Sequence, residues 1–166
     1  MTLTAKTGVD RVRFLRAQAC YYGLDGADNL GRYSDEDLAS IYNGIGPEWF
    51  SEKLRRFVDK LHPDLRCIAL VHDVEYHEGD GSRDKFTAAN RRLRVNGHKV
   101  AKAKYTWYNP MRYWIMWESS RFDNLCQVFG WDAYQEACRR CAEVKSKWRQ
   151  VTILENNERE NNANSQ

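Results

Sequence analysis

No run of about eighteen apolar residues occurs in the 166-residue sequence, which argues against a membrane-spanning helix. Met1 to Asp10 also lacks the apolar stretch of a secretory signal, so a cytoplasmic protein is expected. Proline occurs only at Pro47, Pro63 and Pro110, and alternating β-branched runs are nearly missing. That pattern disfavours a sheet protein and leaves helices broken by short Gly and Pro turns. Cysteine lacks an even count, with five residues and no second pair to match Cys138 and Cys141. A structural zinc site needs a second pair of ligands, so the Cys-x-x-Cys spacing reads as two reduced thiols on one helix. No excess of charge of one sign is present either: 26 Lys and Arg face 23 Asp and Glu, a net +3.

What is there suits one soluble-type domain. Hydrophobic residues are 42% and charged residues 30%, ordinary for a chain that buries a core without metal or disulfide. An all-α fold follows, with a single helical domain over 1–154 and a disordered polar tail over 155–166.

Val12, Leu15, Ala19 and Tyr22 share a face of a helix over 9–22, which Gly23 to Gly26 ends. Ser34 opens the next helix with the spacing of a capping box. Asn43-Gly44-Ile45-Gly46-Pro47 stops it, and Phe50, Leu54, Phe57, Val58 and Leu61 make an amphipathic helix of 48–61. Asp64 is placed as the N-cap of a helix over 65–78, and a glycine turn leads to another over 83–95, capped by Asn96-Gly97. Phe86, Ala89, Asn90 and Leu93 form its inner face. Pro110 opens a helix through Trp117 and beyond, and the last helix runs from Trp131 to Val151 with Tyr134, Cys138, Cys141 and Val144 in one stripe.

The segment Cys67 to Tyr76 stands apart. Ile68, Ala69, Val71 and Val74 mark a buried helix, yet it carries His72, Asp73 and Tyr76. Polar groups in such a place need partners or a metal. His72 and Tyr76 stack on one helical face, and Asp73 points about 100° away, so one cleft can receive both an imidazole and a carboxylate. The plainer alternative is a core histidine bonded to Tyr76, with Asp73 at the solvent edge. Upstream, the Asn43 to Pro47 loop can turn backbone carbonyls inward, and hard oxygens with one carboxylate suit Ca²⁺.

In this order, a Gly-rich loop, His-Asp-x-x-Tyr on a helix, a glycine turn and a polar residue on a following antiparallel helix, the sequence resembles the phospholipase A2 family. The likeness is to the compact, disulfide-poor form of viral and bacterial proteins, and it covers about residues 41–95. It implies a central antiparallel helix pair with extra flanking helices. It implies Ca²⁺-dependent hydrolysis of a phospholipid ester, in a cytoplasmic or phage-associated setting. His72 would be the general base and Tyr76 a hydrogen-bonding partner within the site. Asp73 and backbone carbonyls of Asn43, Gly44 and Gly46 would hold the ion. Asn90 stands where the family has a second Asp that orients the histidine. An amide orients a ring but stabilises its charged form less than a carboxylate does. Pro47 has no N–H to offer an oxyanion. Two readings therefore stand together, an esterase with a softened dyad and a related scaffold without catalysis.

Two other classes remain. The His-Asp pair is similar to that of HD-type metal phosphohydrolases, which need an earlier histidine, here only His62. The stretch 83–104 holds eight cations against Asp84 alone and runs into an aromatic segment. Arg91, Arg92, Arg94, Lys99, Lys102, Lys104 and Trp107 would form a basic and aromatic surface for an anionic membrane or, with less support, a nucleic acid. Met111, Trp114 and Trp117, at helical spacing, are expected to pack on the core helices, as are at least half of the aromatics in this segment.

Overall fold

The computed structural model describes residues 8–42 and 62–163, with side chains omitted at 147–149 and 151–163. Every described element is helical. Helix α1 spans Gly8–Tyr21, α2 Asp35–Ile41, α3 Arg66–His77, α4 Arg83–Lys104, α5 Pro110–Phe129 and α6 Trp131–Ala163. Short 3-10 turns precede α2 and α3, at Ala27–Arg32 and Pro63–Leu65. Asn43, Gly44, Gly46, Pro47 and the amphipathic stretch 48–61 lie outside the described residues.

Local chemistry sets the first boundaries. Gly23, at φ 58°, closes α1: the Leu24 N–H donates to the Ala19 carbonyl and the Gly23 N–H to the Cys20 carbonyl. These two bonds satisfy the last carbonyls of the helix, and Leu24 folds back into the core. At α2 the Asp37 N–H donates to Ser34 Oγ at 3.1 Å, and the Ser34 N–H donates to Asp37 Oδ2 at 3.3 Å, completing the reciprocal cap. Asn109 caps α5 through Oδ1, with Pro110 in the first turn, where a missing N–H is harmless.

Helix α3 is the hub. Cys67, Ile68, Leu70, Val71, His72, Val74 and Tyr76 are all buried, so it is enclosed on nearly every side. Helices α1, α2, α4 and α6 each pack on it. Its aliphatic half joins Val12, Leu15, Leu30, Leu38, Val100 and Ile115 in the main core. Each such fully buried aliphatic side chain stabilises the fold by about 1.5–3 kcal/mol. Its other end joins Phe86, Ala89 and Tyr134 in an aromatic cluster, where the Tyr76 and Tyr134 rings meet at 5.2 Å.

Four expectations are corrected. Asp64 does not cap α3, whose first turn has no side-chain cap; it accepts instead from Tyr105 Oη at 2.7 Å and pairs with Lys104 at the far end of α4. Asn96-Gly97 does not end α4, which continues to Lys104. Asn96 is held by the α1 turn: its Nδ2 donates to the Asp25 carbonyl at 3.0 Å, and the Asp25 N–H returns a bond to Oδ1 at 2.8 Å. Val144 is 49% exposed, so the stripe of α6 that buries Tyr134 and Cys141 has already left the body there. The backbone of α6 stays helical to Ala163, past the start of the expected disordered tail. Elongating an existing helix avoids the cost of nucleation.

Candidate functional site

The hub helix brings the sequence candidates together with α4. The two helices fold back on one another: Tyr76 meets the Phe86 ring at 5.9 Å, and His72 meets Asn90. Asn90 is fully buried, and its Oδ1 takes both polar neighbours, lying 2.9 Å from His72 Nε2 and 2.7 Å from Tyr76 Oη. A carbonyl oxygen only accepts, so both neighbours must donate. His72 therefore donates through Nε2, and in the neutral imidazole that tautomer leaves Nδ1 as the acceptor nitrogen. That Nδ1 lies 3.9 Å from Asp73 Oδ1. The His72 and Tyr76 rings stack at 4.1 Å between centroids. Burial raises the Tyr76 hydroxyl far above its ordinary range, so it stays a donor.

The remaining polar atom of Asn90, Nδ2, is buried without a hydrogen-bond partner among the described residues. Such a group costs about 1–3 kcal/mol. His72 itself is 7% exposed. It is thus a core residue as well as a site residue, and replacing it is expected to disturb the fold.

Asp73 sits among groups the sequence does not single out. Burial raises Tyr42 to about 12, with the Arg11 guanidinium pulling down and Asp73 pushing up. Burial also raises Cys126 to about 12, and Asp73 contributes to that rise. Tyr42, the last described residue before position 62, is within electrostatic reach of Asp73. The carbonyls of Asn43, Gly44 and Gly46 lie outside the described residues. Among the described residues, no group of three or more His, Cys, Asp and Glu could hold a metal. Asp73 is a hard oxygen donor of the kind Ca²⁺ takes, and it is the single described residue of the expected ligand set.

Sequence reasoning missed Glu75. Arg92 Nη1 is 2.7 Å from its Oε1, a charge contact without a well-aimed hydrogen bond. Gly26 makes room for it, since a Cβ there would lie 2.9 Å from Oε1. Burial raises the Glu75 carboxyl to about 7, and Arg92 then His72 only partly oppose that. A carboxyl with a raised folded pKa holds a proton the unfolded chain has released. Stability therefore falls as pH rises from about 4.5 to about 7 and levels off above. Glu75→Gln is expected to stabilise by about 1–3 kcal/mol at pH 8 and to be neutral near pH 4. Urea melts at both pH values check this, and an equal effect at both would refute it.

Half of the cations in the basic stretch are engaged in ion pairs. Arg92 pairs with Glu75, Arg94 with Asp123 at 3.5 Å, Lys99 with Asp25 at 2.6 Å, and Lys104 with Asp64. Arg83 stacks on Trp131 with its guanidinium 3.7 Å from the ring centroid. Arg91 and Lys102 alone of the expected surface cations lack an ion pair among the described residues. Most of the positive charge thus clamps α4 to its neighbours. The aromatics resolve toward the surface: Trp107 is 72% exposed, and Met111, Trp114 and Trp117 are exposed too, so core packing is corrected for them. The His62 ring packs on Phe122 and the His72 ring on Tyr76. No described helix is long and apolar enough to cross a membrane.

No family model matches the chain, and neither the curated proteins nor the solved structures searched contain a match.

Proposed function

We propose that the chain carries a phospholipase A2-like ester-hydrolysing site in which an amide replaces the orienting carboxylate. One observation carries this reading: His72 Nε2 and Tyr76 Oη share the single oxygen of Asn90. The arrangement fixes the imidazole by its rear nitrogen and frees Nδ1 next to Asp73. In the reaction, His72 Nδ1 takes a proton from water as the water oxygen attacks the ester carbonyl carbon. The tetrahedral intermediate then expels the alcohol, which recovers the proton from the imidazolium. Asn90 holds the ring in the competent tautomer, and Tyr76 buttresses Asn90. Asp73, with the loop carbonyls the resemblance implies, would hold Ca²⁺, which when bound supplies polarisation of the ester carbonyl.

A second reading is a non-catalytic scaffold, and the deep burial of His72 together with the neutral Asn90 favours it. Fatty-acid release from mixed phospholipid micelles, with Ca²⁺ or with a chelator, separates the two. The proposal expects slow, chelator-sensitive release that His72→Gln abolishes. It also expects His72→Ala to lower stability by about 1–3 kcal/mol, because Asn90 loses a donor and the stack with Tyr76 is emptied. A folded wild-type protein with no release above the His72→Gln background would leave the scaffold reading standing.

A further inference from the structure

Helix α5 is amphipathic in the reverse sense. The face turned to the rest of the fold is partly polar, with Glu118, Ser119 and Asp123 buried beside Ile115. The exposed face is largely apolar, with Asn124 at its margin: Trp114 is 47% exposed, Trp117 51%, Leu125 46% and Val128 68%. Met111 and Phe129 extend it at the two ends. Helical geometry gathers 114, 117, 121, 125 and 128 into one stripe, about 25 Å long from Met111 to Val128. Its one central charge is already neutralised, because Arg121 pairs with Glu118 at 3.3 Å and stacks over Trp117 at 4.6 Å. A helix with no purpose for this face would carry polar residues on it.

We propose that this stripe is a dimer interface that docks α5 of a second copy of the chain in antiparallel fashion. Charge argues for that occupant. A lipid surface or a nucleic acid would be met by free cations, and the stripe offers none. The stripe is also self-complementary. With a twofold axis near residue 119, Trp117 of each copy lies over Arg121 of the other, while Met111 and Trp114 meet Leu125 and Val128. Such isologous pairing is the commonest form of oligomer. The area is of the right order. Half-exposed large side chains of this kind offer about 100 Å² each, so the six apolar ones supply about 600 Å² per copy. Arg121 and its rim raise this toward the roughly 800 Å² per partner of a stable interface. The planar, partnered guanidinium of Arg121 is suited to an interface centre.

Sedimentation of the full chain across a micromolar to submillimolar series tests this. The wild-type protein is expected to run as a dimer. Trp117→Glu and, separately, Val128→Glu are expected to run as monomers with unchanged helical circular dichroism, since both side chains are already exposed in one copy. Trp107→Glu, an exposed aromatic off the stripe, is expected to leave the dimer intact. A monomeric wild type throughout the series would overturn the proposal. So would a dimer that survives both stripe variants, or one that Trp107→Glu breaks equally. A monomer that binds zwitterionic vesicles through Trp117 would overturn it in favour of a lipid occupant.

Discussion

Gly97→Val is expected to cost the fold about 3 kcal/mol, because the residue is buried where α4 meets α5. Gly97 lies inside α4, where glycine is ordinarily unfavourable by about 0.5–1 kcal/mol relative to alanine. Its presence is explained by α5. A Cβ at Gly97 would lie 2.2 Å from Ser119 Cβ and 2.4 Å from Ser119 Oγ. Neither atom is the free end of a flexible chain: Ser119 is fully buried, and its Oγ donates to the Met116 carbonyl at 3.0 Å. The added carbon can be accommodated only by moving α4 and α5 apart, and that separation would strip contacts along both helices. Gly97→Ala is therefore expected to lose about 1–3 kcal/mol despite its better helix propensity. Ser119→Gly removes the opposing Cβ and hydroxyl, so the double variant is expected to recover most of that loss. Urea denaturation of the four proteins measures the coupling. Additive losses would show that the helices do not meet through this pair.

That position also shows where the sequence was legible and where it was not. Gly23, the Ser34 to Asp37 box and Asn109-Pro110 act on backbone groups within a few residues of themselves, so their spacing announces their role. Asn96 and Gly97 look like the same kind of stop signal. Their partners are Asp25, 71 positions away, and Ser119, and nothing in a linear pattern reveals either. Asp64 misled for the same reason, since Lys104 and Tyr105 claim its carboxylate. The site divides along the same line. His72, Tyr76 and Asn90 were legible because helical spacing puts polar groups on inward faces, and inward polar groups find one another. Glu75 was not, because its burial depends on Arg92 and on the bare backbone of Gly26. On α5, periodicity marks two faces but not which turns inward. The inward side holds Asp123, which meets Arg94 on α4, together with Ile115, and the apolar stripe lies outside.

On the proposed ester-hydrolysing reading, Asn90→Asp is expected to raise turnover and lower stability in the same protein. A carboxylate at this position would still accept from His72 Nε2 and Tyr76 Oη. It would add a negative charge to offset the imidazolium that forms when Nδ1 takes a proton. In a serine protease the reverse change lowers turnover about 10⁴-fold, which bounds the gain. An increase of about 10- to 10³-fold is expected, because the amide here already holds the tautomer and only the charge term is missing. The cost arises from burial. The residue is fully enclosed, and both donors point at Oδ1. The second carboxylate oxygen would occupy the place of Nδ2, which has no partner among the described residues. An ionised carboxylate so placed is expected to destabilise by about 1–3 kcal/mol at pH 8, and by less at pH 5, where desolvation keeps it protonated. Initial rates of fatty-acid release and urea melts on one preparation give both readouts. A folded variant with no gain in rate would mean that the imidazole is not the base. A gain without loss of stability would mean that the second oxygen finds a donor, and that the site is wetter than its burial indicates.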